Sequence, residues 1–255
     1  ALATVVSQII VSLIFGYLIF IKKYSMIKIS LSVYQFSSKI LFKIIKIGLP
    51  ASFSMIIMSL GGASFNRILV EFSSEAVAAF QIGIRLDHIF LIPAISISTS
   101  VVTLVGMFYG AKKFKLAKEI TLYAIRSTIL IGILIGFIFF IFSDNIVSIF
   151  SDNTNIQNIS SQYLRYFVFG YPFIAISMIS GRAMQGLGKG IPMLVLTLLR
   201  VLVISIAFSV FFVFFLNKSI EWVWISQVIS VIISALIAWF WLLHVFNKIN
   251  SESKK

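Results

Sequence analysis

The sequence predicts an all-α polytopic membrane protein with seven transmembrane helices, and three observations support that fold class. Hydrophobic residues make up 60% of the 255 residues and charged residues only 11%, whereas soluble domains carry about 25% charged residues. Apolar runs recur that reach the roughly 20 residues needed to cross a hydrocarbon core. Basic residues concentrate in alternate loops between these runs, as the positive-inside rule expects of a multi-pass protein.

Each predicted span is an apolar run bounded by charged or turn-forming residues. The first run ends at Lys22-Lys23, and the third ends at Gly110-Ala111 before a cluster of lysines. The sixth begins near Pro192, a residue suited to the start of a helix, and the seventh carries tryptophans near both ends, as spanning helices do. The predicted spans are residues 1–21, 44–70, 76–110, 116–142, 157–182, 192–216 and 220–246.

The segments between the spans set the expected orientation. Residues 22–43 are polar and rich in Ser and Lys, which predicts a surface linker, and residues 143–156 predict an interfacial turn. Seventeen of the 21 basic residues, with Arg200 counted at the turn between spans five and six, fall on one side of the membrane. That side is predicted to be cytoplasmic and includes a frayed tail, 248–255. Because the chain starts with Ala inside an apolar run, we expect a piece of a longer protein.

Several function classes do not fit this sequence. The net charge of +13 could suggest nucleic acid, but the basic residues lie in loops between apolar spans and not on a soluble face. QGLGKG, 185–190, resembles a phosphate-binding loop but lacks the GxxxxGK[ST] spacing and a preceding strand. No metal-ligand spacing and no nucleophile–base pair is found. We therefore expect no enzyme, no metal site and no cofactor.

Ionisable residues lie inside the third span, where charge is costly. Asp87 follows Glu75 by twelve residues, which places it about 18 Å along the helix and near the middle of a core of roughly 30 Å. A charge there costs on the order of 3 kcal/mol or more unless it is solvated or paired. Arg85 and Asp87 point about 200° apart and cannot easily pair. At least one of them must face a wet cavity or a partner on another helix.

Four stretches resemble the multidrug and toxic compound extrusion (MATE) transporters, part of the larger group of multidrug, oligosaccharide-lipid and polysaccharide exporters. They are similar to the family's seventh helix, its eighth helix, the entry to its tenth and the turn into its eleventh: residues 47–69, 76–119, 146–173 and 185–200. The resemblance implies twelve helices in two six-helix lobes. It then divides the chain into the last helix of the first lobe, a cytoplasmic interlobe linker, the C-terminal lobe and a cytoplasmic tail: 1–21, 22–43, 44–247 and 248–255.

The chain departs from the family at residues that matter for ion coupling. Some members have carboxylates in the seventh and tenth helices, and the matching positions here are Met58 and near Ile174. The Gln often found after the glycine near the end of the eighth helix is Met107. A Na⁺ or H⁺ site needs a carboxylate as hard oxygen ligand or titratable group. The coupling acid is therefore either Asp87 or an acid of the first lobe upstream of residue 1.

The resemblance implies secondary active multidrug efflux by rocking of the two lobes, with amphipathic or cationic molecules exchanged for Na⁺ or H⁺. Its partners would be the bilayer of the cell membrane, small-molecule drugs and the missing N-terminal lobe. The alternatives are an inactive half-transporter or scaffold, and a lipid-linked oligosaccharide flippase, for which one midplane arginine is too few. Candidate binding residues are Asp87, Arg85, Gln81, Met58, Tyr171 and Met178, and candidate flexing points are Pro50, Pro93 and Pro172. The alternative for each residue is a structural role: an ion pair or hydrogen bond for the polar residues, packing for Met58, Tyr171 and Met178, and a static kink for the prolines.

Overall fold

The computed structural model describes residues 2–18 and 37–252, and the regular secondary structure in them is helical. The chain divides into two compact units, Ala1–Leu41 and Phe42–Lys255. The first unit contains helix α1, Leu2–Gly16, which lies inside the predicted span 1–21. The end of that span and most of the predicted linker, residues 19–36, lie outside the described residues.

The second unit contains the remaining helices. They are α2 (Ser38–Val70, which starts at the end of the first unit), α3 (Ser74–Gly110), α4 (Phe114–Ser148), α5 (Thr154–Phe167), α6 (Tyr171–Gly186), α7 (Ile191–Leu198), α8 (Ala207–Val210) and α9 (Glu221–Glu252). In the described part of the chain, six helical stretches are long and apolar enough to cross a membrane, and α1 is a shorter apolar helix. The all-α polytopic fold class is thus confirmed.

Three helices extend six residues beyond the predicted spans at one end. Helix α2 begins at Ser38, inside the predicted linker, and α9 continues to Glu252, so the tail is helical as far as that residue. Helix α4 continues to Ser148, although Phe142, where the span was predicted to end, has non-helical φ and ψ of −102° and 18°. Hydropathy marks where a chain meets the membrane surface, whereas backbone hydrogen bonds let a helix continue into the polar interface.

The fourth spanning stretch, Thr154–Gly186, is broken near its middle. A 3₁₀-helix, Val168–Gly170, separates α5 from α6, and Pro172 lies in the first turn of α6. Proline lacks the backbone N–H that would continue the preceding helix, so it suits the start of a new one. Of the three predicted flexing points, Pro172 lies at a break, whereas Pro50 and Pro93 lie inside continuous helices.

More than half of the fifth spanning stretch, Ile191–Phe215, is π-helix. Helix α7 passes into a π-helix, Leu199–Ile206, followed by α8 and a second π-helical turn, Phe211–Phe215. Backbone bonds from residue i to i+5 widen such a helix, and π segments are rare and often found at functional sites. The first π-helix contains two polar residues, Arg200 and Ser205.

Buried aromatic side chains join α3, α5, α6 and α9. The ring of Tyr163 contacts Trp224 edge-on at 4.9 Å between centroids, and Phe80 stacks on Trp224 at 5.8 Å. In a membrane, helices associate through van der Waals packing and interhelical hydrogen bonds. This aromatic cluster fixes α3 against α5 and α9 around the residue that sequence analysis singled out, Asp87.

Candidate functional site

The carboxylate of Asp87 is held by two tyrosine hydroxyls. Helix α3 points Asp87 into the bundle, where it is 5% exposed. The hydroxyl of Tyr163, from α5, donates to Oδ2 at 2.6 Å, and the hydroxyl of Tyr171, from α6, donates to Oδ1 at 2.7 Å. These lengths are typical of strong O–H···O⁻ bonds. Both oxygens of the acid are therefore paired by donors from two other helices.

Packing holds the two tyrosines in place. Tyr171 stacks on Phe90 of α3 with 4.5 Å between ring centroids, and Tyr163 stacks on Phe167 at 5.2 Å. The ring of Tyr163 lies against Gly83, where an added Cβ would overlap its atoms. Gly83 precedes Asp87 by four residues and lies on the same helix face. The glycine lets the tyrosine approach α3 closely enough to reach the acid.

A cavity of about 320 Å³ opens beside Asp87. It is mostly apolar, with a few polar groups, and its volume is at the lower end of the usual range for small-molecule sites. Its lining residues come from α2, α3, α5, α6, α9 and the first π-helix: Met58, Gly61, Gly62, Phe65, Phe80, Ile84, Asp87, His88, Phe90, Leu91, Tyr163, Phe167, Tyr171, Ile174, Arg200, Val201, Ser205, Gln227, Ser230 and Val231.

Arg200 lies on the cavity wall and not in a cytoplasmic turn, which corrects the sequence analysis. It follows Ile191 by nine residues, so it lies about 13 Å along its helical stretch, near mid-membrane depth. Its Nη2 donates to the thioether sulfur of Met58 at 3.5 Å. The apolar residues on either side of Arg200 could have indicated a position inside the span. The charge count of the loops instead assigned Arg200 to the turn that contains Gly188 and Lys189.

Three of the predicted binding residues meet in this cavity. Asp87 and Tyr171 are bonded to each other, and Met58 contacts Arg200. His88, next to Asp87 on α3, also lines the cavity. A carboxylate, a tyrosine and a methionine predicted from three different spans are thus brought to one site.

The structure does not bring the other three predicted binding residues to the cavity. Arg85 is exposed, and Gln81 is exposed with its amide donating to Asn66 Oδ1 on α2 at 3.1 Å. Met178 packs against the buried core cluster. The described ion pairs join other residues, Arg67–Glu71, Lys115–Glu119 and Arg165–Asp144, so Arg85 and Asp87 are not paired within the described chain, as their helix positions predict.

Sequence reasoning missed the polar groups contributed by the last two spans. Ser205 lies one π-helical turn after Arg200, and Gln227 and Ser230 share one face of α9. Polar residues at helical spacing inside an otherwise apolar span were a usable signal, because lipid-facing positions rarely carry them. Tyr163 was missed because a single tyrosine near a span end fits an interfacial anchor equally well.

The MatE family model matches residues 50–211. A probable multidrug resistance protein NorM of Thermotoga maritima is 26% identical over 236 residues, which cover 91% of this chain and 50% of that relative. The chain therefore spans about half the length of the curated relatives it matches.

Solved structures share the fold. A MOP superfamily transporter from Pyrococcus furiosus, described as having a binding pocket of reverse polarity, superposes with a TM-score of 0.93 at 25% identity. The superposition covers 97% of this chain and 56% of that chain. The crystal structure of a MATE in the bent conformation gives a TM-score of 0.92 at 25% identity, over 100% of this chain and 56% of that one.

Proposed function

Because the chain belongs to the MatE family, we propose that it forms the C-terminal lobe of a secondary active exporter of amphipathic or cationic small molecules. The matched NorM relative is named as a probable multidrug resistance protein, and this chain corresponds to about half of its length. The other half would supply the N-terminal lobe. The exporter would lie in the cell membrane, with the C-terminal end on the cytoplasmic side.

The observation that carries this proposal is the mid-span cavity with a carboxylate on its wall. A lobe that served only as a scaffold would have no use for an acid inside the membrane, where charge is costly. Aromatic and apolar residues line most of the cavity, which suits the apolar part of a drug molecule. Transport would follow from rocking of two lobes, with ion and drug favouring opposite states, since a ligand shifts an equilibrium only by its differential affinity.

Asp87 is the proposed coupling acid for Na⁺ or H⁺. A carboxylate offers about four acceptor positions, and the two tyrosines occupy one on each oxygen. A cation could bind a remaining position directly. A proton on a remaining position would neutralise the acid, and both tyrosine bonds would weaken because they would no longer be made to a charged acceptor. Because the tyrosines belong to α5 and α6, either event would be felt on both sides of the break at Val168–Gly170.

The flippase alternative has less support. A lipid-linked pyrophosphate would require a strongly cationic cavity, and among the described lining residues Arg200 is the one arginine and no lysine occurs. The single guanidinium is better matched to a smaller charged group.

The test is efflux of ethidium from cells that express the full-length protein with Asp87→Asn. We expect the efflux rate to fall at least tenfold with normal expression, because the amide cannot bind a proton or attract a cation as the carboxylate does. Asp152→Asn, at an exposed residue outside the cavity, is the matched control and should leave the rate unchanged. Proteoliposomes with an imposed Na⁺ or H⁺ gradient would identify the ion. Unaltered efflux and ion dependence in Asp87→Asn would remove the coupling role.

A further inference from the structure

Part of the cavity wall is formed by residues that carry hydrogen-bond donors. Arg200 and Ser205 come from the first π-helix, where backbone bonds from i to i+5 place residues five apart one turn above each other. Gln227 comes from α9. All three residues line the same cavity, so two helical elements bring residues with a guanidinium, a hydroxyl and a side-chain amide to it.

These donors have little to bind inside the described chain. The guanidinium of Arg200 meets a thioether at 3.5 Å, which is a weak, neutral acceptor. Ser205 and Gln227 are 3% and 8% exposed, and neither Ser205 Oγ nor Gln227 Nε2 has a hydrogen-bond partner among the described residues. Buried polar groups are normally paired, so unpaired groups on a cavity wall point to a ligand that completes them.

The acid in the cavity does not complete them. Asp87 gives one oxygen to each tyrosine, and within the described chain no ion pair joins it to Arg200. Among the described lining residues it is the one carboxylate. The donor set therefore needs an acceptor from outside this lobe.

We propose that the Arg200 wall binds an anionic group, a carboxylate, sulfonate or phosphate, carried by an amphipathic molecule. The planar guanidinium fork matches such groups and binds them in pairs of hydrogen bonds. The hydroxyl and the amide add two further donors. The aromatic side chains of the remaining wall, Phe65, Phe80, Phe90 and Phe167, would take the apolar body. The inference rests on the proposed function, because it assigns a substrate chemistry to the proposed transport cavity.

The anion could come from a soluble compound or from a phospholipid headgroup, and the experiment separates the two. Binding of naphthalene-2-sulfonate to purified full-length protein would be measured by calorimetry in phosphatidylcholine nanodiscs. Naphthalene-2-sulfonamide is the neutral probe of the same shape. We expect Arg200→Gln to weaken sulfonate binding at least tenfold and to change sulfonamide binding less than twofold. Arg200→Lys should retain only part of the sulfonate affinity, because lysine keeps the positive charge but lacks the planar guanidinium that forms paired hydrogen bonds.

Controls make the result specific. Arg126→Gln removes an exposed arginine outside the cavity and should leave both probes unaffected. Gln227→Leu should weaken the sulfonate several-fold by removing one neutral donor. Nanodiscs containing phosphatidylglycerol identify the source: competition with the sulfonate in the native protein but not in Arg200→Gln assigns the site to a lipid headgroup, and absence of competition assigns it to soluble anions.

Three outcomes would overturn the proposal. They are no sulfonate binding by the native protein, equal binding of sulfonate and sulfonamide, and equal sulfonate affinity in native protein and a folded Arg200→Gln variant. Equilibrium binding needs no transport, so a protein that fails the ethidium assay can still pass this one. Conversely, normal ethidium efflux with no sulfonate binding would reject the anion site alone.

Discussion

The two charged residues on the cavity wall are held in opposite ways. Asp87 accepts two short bonds from tyrosines whose rings are stacked on neighbours. Arg200 meets one soft sulfur and lies in a π-helix beside buried donors without partners in the described chain. The carboxylate of Asp87 is thus positioned by the protein itself, whereas most of the five N–H donors of Arg200 have no acceptor in the described chain. We expect substitutions around Asp87 to change stability and those around Arg200 to change binding.

The largest expected effect on stability is that of Gly83→Ala. The added methyl group would overlap the ring of Tyr163, which is 1% exposed and enclosed by Phe80, Phe167 and Trp224. Overpacking costs about 1–3 kcal/mol, and displacing the ring would also lose a bond to a charged group, about 1.5–3 kcal/mol. We expect a loss of about 3 kcal/mol or more in the free energy of unfolding, measured by thermal unfolding in detergent.

Gly48→Ala is the matched control for that substitution. Gly48 is an exposed residue of α2, and an added Cβ would meet nothing within 4 Å. Alanine favours a helix by up to about 1 kcal/mol over glycine, so stability should be unchanged or slightly higher. Similar stability of the two variants would show that the close approach of Tyr163 to α3 does not hold the acid.

The next largest effect is expected of Tyr163→Phe. This change keeps the ring and its packing but removes the donor to Asp87 Oδ2, so the cost should be about 2 kcal/mol. Tyr123→Phe, at a side chain 74% exposed on α4, should cost almost nothing in the same unfolding measurement. A neutral result for Tyr163→Phe would mean that water or Tyr171 satisfies the acid equally well, and the contrast between Asp87 and Arg200 would then largely disappear.

The sequence predicted the helix bundle and the position of Asp87 better than it predicted the position of Arg200. Long apolar runs and alternating basic loops are local signals, so the fold class and the order of the spans could be predicted directly. Asp87 stood out because an acid deep in an apolar helix has few alternative explanations. Its tyrosine partners could not be paired with it from sequence, because Tyr163 is 76 residues away in the chain and its approach depends on a glycine and a helix break.

Arg200 was misplaced for a physical reason. Counting Arg200 with the basic residues of the turn between spans five and six fitted the charge pattern of alternate loops, and nothing in the local sequence of Leu199–Ile206 indicates a π-helix. Arg85 was the opposite case, since its depth in α3 suggested the cavity while the helix face on which it lies is exposed. Depth along a helix follows from counting residues, whereas the direction a residue faces depends on which neighbours pack there.

The smallest expected effect is that of Met58→Leu, which tests whether the thioether holds Arg200 in place. Leucine has a similar volume and such swaps usually cost less than about 1.5 kcal/mol; an N–H···S contact on a half-exposed side chain adds little. We expect a loss below about 1 kcal/mol, the same as for Met55→Leu, whose side chain is 76% exposed. Sulfonate affinity should stay the same or rise, because the guanidinium loses a competing acceptor. A loss above about 2 kcal/mol, or weaker sulfonate binding, would show that Met58 positions Arg200 much as the tyrosines position Asp87.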